Sequence, residues 1–370
     1  MIYFDHAATS YPKSLRTRRA LMRTIKKAGG NPGRSGHALS LRASEEIFSA
    51  RCALAELFGT EPECVIFTGG ATHALNMALC CFGQGRRIFL SNLEHNAVYR
   101  TVRRLHRDAG NDFFLFPAQS TKMLEKDLQE GDLVVSIHAS NVTGQVLPVE
   151  RIGALCRERG ALFILDAAQS AGHISVRFDE TNAAAICVPG HKALGGLQGA
   201  GALLLDHPFP LPEFMMGGGG HAPSPFMPDW LPDRLEAGTL PTPAIVTMGR
   251  GAADLSKKRL IRRQTHLQKL CRLAEEGLRR FPAVRLLTDG DYRCGILSFT
   301  AEAFSSEEIA TFLSEAGICV RGGLHCAPLA HKALGTEKTG CVRLSFGEGN
   351  RPWQVRRFLK VMAQFFQKRG

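Results

Sequence analysis

A chain of 370 residues, 44% of them hydrophobic, holds more apolar material than one ordinary core needs, so a globular protein of two lobes is expected. The formal charge is +12, but no apolar run is long enough to span a membrane, and Met1-Ile2-Tyr3-Phe4-Asp5-His6 lacks the regions of a signal peptide. Eleven cysteines without CxxC pairs or finger spacing argue for a reducing, cytoplasmic compartment and against structural zinc, so no metal is expected.

In chain order, the basic clusters at 16–27, 100–107 and 257–263 each follow helical spacing with apolar residues between, as solvated helix faces do. No recognised nucleic-acid motif accompanies them, so nucleic acid is not expected as a partner; an anionic cofactor or an acidic acceptor protein is the simpler use of the charge. Residues 40–58 predict an amphipathic helix closed by Gly59, with Leu41, Ile47, Phe48, Leu54, Leu57 and Phe58 as its apolar stripe. The stretch Cys64-Val65-Ile66-Phe67-Thr68-Gly69-Gly70-Ala71-Thr72 then reads as strand, glycine turn and helix start. That arrangement offers backbone N–H groups and a positive dipole end to a phosphate, although it is neither a Walker loop nor a dinucleotide fingerprint.

Five short apolar runs follow, at 87–90, 133–137, 162–165, 184–188 and 200–205. Most are separated by helix-length segments, so a mostly parallel sheet covered on both faces is expected. The third run ends in Asp166, followed by Ala167-Ala168-Gln169-Ser170. An Asp isolated in this context reads first as a cap of the following helix, and the lysine at the next strand end tips it toward a ligand. The fourth run leads into Pro189-Gly190-His191-Lys192, where a lysine at a glycine-rich strand end is placed to be desolvated and to act as an amine nucleophile toward a carbonyl. Lys192 is thus a candidate Schiff-base lysine. Asp166 is a candidate carboxylate for keeping the ring nitrogen of pyridoxal 5'-phosphate protonated. Residues 207–243 are rich in Pro and Gly and include Gly217-Gly218-Gly219-Gly220, an irregular stretch long enough to suggest function. Beyond a linking helix near 248–280, the pattern becomes α+β, with strands at 295–299 and 341–346 and helices at 305–315 and 352–367. No internal repeat is present.

The glycine turn, Ser91-Asn92-Leu93-Glu94-His95-Asn96, Asp166-Ala167-Ala168-Gln169 and Gly190-His191-Lys192 follow one another as in class V aminotransferase-fold enzymes. The opening Phe4-Asp5-His6-Ala7-Ala8-Thr9 and the stretch Arg234-Leu235-Glu236-Ala237-Gly238-Thr239 are also similar to that family. Val320-Arg321-Gly322-Gly323-Leu324-His325-Cys326-Ala327-Pro328 resembles the active-site cysteine loop of group II cysteine desulfurases and selenocysteine lyases. The similarity spans nearly the whole chain. It implies an α/β protein of the pyridoxal-phosphate-dependent transferase fold type I: a large domain (15–250) with a mostly parallel seven-stranded sheet covered by helices, and a smaller α+β domain (1–14 and 251–370) carrying the cysteine loop.

The resemblance also implies roles. Lys192 would bind the cofactor and move the α-proton, Asp166 would pair with the ring nitrogen, Gln169 with the ring oxygen, and His95 would stack on the ring. Ala71, Thr72 and His191 would bind the phosphate, with Thr239 from the other subunit of a homodimer. Arg343 would hold the carboxylate of L-cysteine or L-selenocysteine, with Asn141 and His37 on the substrate side. Cys326 would accept the sulfur as a persulfide, with His325 and Arg321 as sources of positive charge, Gly322-Gly323 permitting loop motion, and a sulfur-acceptor protein as a further partner. Pro189 stands where the family usually has a phosphate-binding serine, and Leu324 where a histidine is common. Selenocysteine lyase, another C–S lyase or an aminotransferase remain alternatives on the same scaffold. A non-catalytic partner protein would show loss of the lysine or the aspartate, and both are present.

Overall fold

In the computed structural model, which describes residues 1–33, 35–218, 225–287 and 294–369, the chain opens with strand β1 (Ile2–Tyr3) and helices α1 (Leu15–Lys27) and α2 (Ala38–Phe58). Helix α2 ends at Gly59, whose φ of 77° is a left-handed conformation that suits glycine. The expected apolar stripe divides: Ile47, Leu54 and Phe58 are buried, but Leu41 and Phe48 are 52% and 59% exposed. Periodicity selects a helix face, and the neighbouring elements decide how much of it is covered.

Strands and helices then alternate as β2 (Val65–Thr68), α3 (Ala71–Phe82), β3 (Ile88–Ser91), α4 (Asn96–Ala109), β4 (Phe113–Phe116), α5 (Lys122–Asp127), β5 (Leu133–Ile137), α6 (Val149–Arg159), β6 (Leu162–Asp166), α7 (Phe178–Thr181), β7 (Ala185–Pro189) and β8 (Gly201–Leu205). They build a seven-stranded sheet in the order β2-β8-β7-β6-β5-β3-β4. All its pairings are parallel except those of β8, which runs antiparallel to both neighbours. Strands β5, β7 and β8 are buried throughout, because helices cover both faces. Strand β4 was not among the expected runs. Four apolar residues fit a strand or a buried helix segment equally, and only pairing with β3 decides between them.

The irregular stretch after β8 is anchored by an ion pair. Both guanidinium nitrogens of Arg51 on α2 donate to Glu236, at 3.0 and 2.9 Å, with both side chains less than a tenth exposed. The Gly219 and Gly220 part of the glycine run lies outside the described residues. The linking helix is two helices, α8 (Thr242–Ala253) and α9 (Lys257–Leu278). Ser256 caps α9 by accepting from the Arg259 N–H, and such a side-chain bond competes with continuing the preceding helix.

The remainder comprises β9 (Val284–Leu286), β10 (Ile296–Ala301), α10 (Ser306–Glu315), β11 (Ile318–Cys319), α11 (Pro328–Leu334), β12 (Val342–Ser345) and α12 (Pro352–Arg369). Strands β12, β10 and β9 form an antiparallel sheet, and β1 pairs with β11. Ile2 and Phe4 accordingly share a core with Leu270, Phe299 and Phe358, far away in sequence. Among the described residues no helix is long and apolar enough to cross a membrane.

Candidate active site

Strands β2, β6 and β7 end on the same side of the sheet, and the segments that follow them line one cavity of about 660 Å³. Ligands bind at this edge of α/β sheets because the strand ends and helix starts leave a crevice there. At one end, no side chain caps α3, and Gly70 carries a φ of 146° with no atom within 4 Å of where a Cβ would stand. Ala71 and Thr72 thus present a bare helix N-terminus to the cavity, a site suited to an anion.

The same cavity is lined by Asp166, only 1% exposed. Burial pushes its carboxyl above the ordinary carboxylate range, opposed by the Ala168 N–H that Oδ1 accepts at 2.8 Å and by the charge of Lys192. The capping interaction and the ligand-facing position therefore coexist at one residue. A cation placed against this carboxylate would relieve its desolvation. Burial brings the Lys192 ammonium down to about 8; Asp166 opposes the shift, and Arg343 and Arg321 add to it.

His95 caps α4, its Nδ1 accepting from the Ala97 N–H at 3.1 Å, which places the ring proton on Nε2. Burial, assisted by the charge of Lys192, brings this imidazole down to about 4, so a neutral ring lies on the cavity wall. Gln169 is held by the Ala7 carbonyl, to which its Nε2 donates at 3.1 Å. His191 Nδ1 and Asn141 Oδ1 are buried without hydrogen-bond partners, and both residues line the cavity. Unpaired buried polar atoms at a cavity wall suit a ligand that completes their hydrogen bonds. A ligand with a phosphate at one end, a protonated ring nitrogen at the other and a carbonyl for Lys192 matches these residues.

The cysteine loop docks beside this cavity. The Asn96 N–H donates to the Cys326 carbonyl at 2.9 Å, and Asn141 Nδ2 donates to the His325 carbonyl at 2.8 Å. His325 and Cys326 take consecutive left-handed conformations, with φ of 50° and 57°. Such backbone costs about 1–3 kcal/mol per residue and persists where the surroundings enforce it. Cys326 is exposed, with Arg321 Nη2 3.6 Å from its Sγ. His325 is not the source of positive charge that the sequence suggests. It is buried against the Cys341 carbonyl, and burial holds its imidazole down at about 2, so it stays neutral and Arg321 supplies the charge. At Gly322 the backbone packs closely on the Ser306 carbonyl oxygen, 2.7 Å from where a Cβ would stand, so only glycine fits there.

Three candidates do not line the cavity themselves. Arg343 is 1% exposed and already engaged, donating to Asp5 at 2.8 Å and to the Asn141 carbonyl at 3.0 Å. His37 is exposed and caps α2, accepting from the Ser40 N–H. Thr239 is exposed, between two residues that border a separate cleft with Phe48. The sequence reading passed over Glu94, fully buried and accepting from Ser91 and from the Ile137 N–H. Burial pushes its carboxyl up to about 8, with Asp166 contributing. Its signal was its place in the Ser91–His95 motif. Among the other thiols, Cys156 and Cys187 are buried, whereas Cys80 and Cys81 are half-buried.

The family model for aminotransferase class-V matches residues 2–358. A probable cysteine desulfurase of Methanothermobacter thermautotrophicus is 30% identical over 353 residues, covering 92% of this chain and 88% of that protein. The cysteine desulfurase IscS of Vibrio cholerae is 33% identical over 305 residues, covering 79% of this chain and 72% of its own. Among solved structures, the apo cysteine desulfurase of Thermococcus onnurineus superposes with a TM-score of 0.91 at 28% identity, covering 99% of this chain and 95% of the other.

Proposed function

Because this chain belongs to the aminotransferase class-V family and has the fold type I architecture, we propose that it is a pyridoxal 5'-phosphate-dependent cysteine desulfurase. It converts L-cysteine to L-alanine and keeps the sulfur as a persulfide on Cys326. The observation that carries this reading is the grouping of Asp166 and Lys192 in one cavity with the Cys326 turn docked beside it.

When bound, pyridoxal phosphate supplies an electron sink that lets the substrate lose its α-proton and weakens its C–S bond. Lys192, with an amine near neutrality, anchors the cofactor and moves that proton at Nζ. Asp166 would hold a proton on the ring nitrogen, Gln169 would donate to the ring oxygen, and the neutral His95 would provide a face for the ring. Ala71, Thr72 and His191 hold the phosphate, one contact short of the family pattern because Pro189 offers no hydroxyl. In this reading Arg343 exchanges its Asp5 contact for the substrate carboxylate, with Asn141 and His37 on the substrate side. Cys326 Sγ attacks the substrate sulfur: an S–S bond forms, the C–S bond breaks with its electron pair left on the substrate β-carbon, and that carbon takes up the proton given up by the Cys326 thiol to become the methyl of alanine. Arg321 Nη2, 3.6 Å from Sγ, places a positive charge beside the attacking sulfur.

The working unit in this reading is a homodimer, with the partner's Thr239 reaching the phosphate. The exposure of Thr239 and His37, together with that of Leu41 and Phe48, supports it. The exposed Cys326 suits delivery to a sulfur-acceptor protein, and the compartment is the cytoplasm. The lobes divide into 15–250, and 1–14 with 251–370, a division supported by the shared core of Ile2, Phe4 and the C-terminal elements. Incubation of the purified enzyme with L-cysteine and with L-selenocysteine, assaying alanine, sulfide and selenide, tests the reading. Alanine formation from L-cysteine that is lost in Cys326→Ala is the expected result. Turnover of selenocysteine alone would assign the chain to the lyases instead.

A further inference from the structure

Beneath the cysteine loop lie three side chains that the desulfurase reaction does not use. His325 in the loop, His331 on α11 and Cys341 just before β12 are 2%, 0% and 0% exposed. One ligand atom from each lies within 4.8 Å of the other two. Two of the nitrogens, His325 Nδ1 and His331 Nε2, are buried without a hydrogen-bond partner. The opposite nitrogen of each ring is engaged: His325 Nε2 with the Cys341 carbonyl at 3.0 Å, and His331 Nδ1 with Thr336 Oγ1 at 2.8 Å. Metal-bound imidazoles show this pattern, one ring N–H held by an oxygen and the other nitrogen free to donate its lone pair.

We propose that His325 Nδ1, His331 Nε2 and Cys341 Sγ form a binding site for one zinc-type divalent cation. Two imidazoles and a thiolate suit a borderline cation such as Zn²⁺ and exclude the oxygen-seeking Mg²⁺ and Ca²⁺. Binding displaces one proton, that of the Cys341 thiol, and leaves the fourth coordination position to water. The nearby Arg343 charge is already balanced by Asp5. The ligands sit at 325, 331 and 341, without finger spacing, so the sequence pattern argued against a metal and only the fold brings them together. A bound cation ties the loop that carries Cys326 to α11 and to the start of β12. It thereby holds the left-handed His325–Cys326 turn in place. The role is positioning, outside the chemistry itself.

Cobalt(II) is the probe, because a tetrahedral thiolate-bound Co²⁺ gives visible ligand-field bands and a near-ultraviolet thiolate-to-metal charge-transfer band. Holoenzyme dialysed free of metal and titrated with Co²⁺ should develop both, saturating at one equivalent per chain, and Zn²⁺ should abolish them. The charge-transfer band should persist in Cys326→Ala and vanish in Cys341→Ser. His331→Gln should weaken Co²⁺ binding at least tenfold. Cofactor absorbance and far-ultraviolet dichroism show that each variant is folded. Zn²⁺ should also raise the melting temperature of the wild type and leave that of His331→Gln unchanged, a readout that stands even if Cys341→Ser misfolds. Absence of any band at excess Co²⁺, or a band lost in Cys326→Ala but kept in Cys341→Ser, overturns the site.

Discussion

The depressed pKa of Lys192 has a kinetic consequence that can be measured directly. With its ammonium at about 8, some 9% of the amine is neutral at pH 7 and about 91% at pH 9, a tenfold rise. A solvated lysine near 10.4 would go from about 0.04% to about 4%, a hundredfold rise that continues above pH 9. Only the neutral amine attacks an aldehyde, so the rate at which cofactor-free protein captures pyridoxal phosphate should follow these fractions. Stopped-flow absorbance between pH 7 and 10 should show the rate rising about tenfold to pH 9 and levelling beyond it. Two substitutions move the plateau in opposite directions. Asp166 raises the pKa of Lys192 and Arg321 lowers it, so Asp166→Asn should shift the plateau to lower pH and Arg321→Gln to higher pH. A rate that keeps climbing, about sevenfold between pH 9 and pH 10, would show that Lys192 is solvated and not held at a depressed pKa by burial.

Asp166→Asn should still bind the cofactor through Lys192 but lose about 2.7–4 kcal/mol of transition-state stabilisation, the scale for removing a preorganised electrostatic group; steady-state alanine formation measures it, and near-normal turnover would assign the role to another acid. Cys326→Ala should bind L-cysteine, shown by a change in the cofactor spectrum, yet release almost no alanine. Alkylation of wild-type enzyme after brief exposure to L-cysteine should place the persulfide on Cys326 and not on Cys319 or Cys341. Glu236→Ala leaves the buried Arg51 charge uncompensated and should cost about 3–5 kcal/mol in denaturant unfolding, whereas a paired Arg51→Met, Glu236→Leu variant should recover much of that loss.

The parallel strands, the α2 helix with its Gly59 stop and the strand-end positions of Asp166 and Lys192 were legible in the sequence, because each rests on local periodicity or on a residue's own backbone preference. The motif order likewise named Cys326 among eleven cysteines. Contacts between distant segments were not legible. Whether Phe113–Phe116 is a strand depended on β3, and whether Leu41 and Phe48 are covered depended on packing partners. The charge state of His325 was set by burial against Cys341, sixteen positions away, which no local pattern records. Likewise the convergence of Arg343 with Asp5 follows from how the chain's two ends return to one place, and that of His331 with Cys341 from how the segment between α11 and β12 turns back beneath the cysteine loop. Sequence determines which side chains can do the chemistry; desolvation and long-range contact, which exist only in the folded chain, decide which of them are placed and charged to do it.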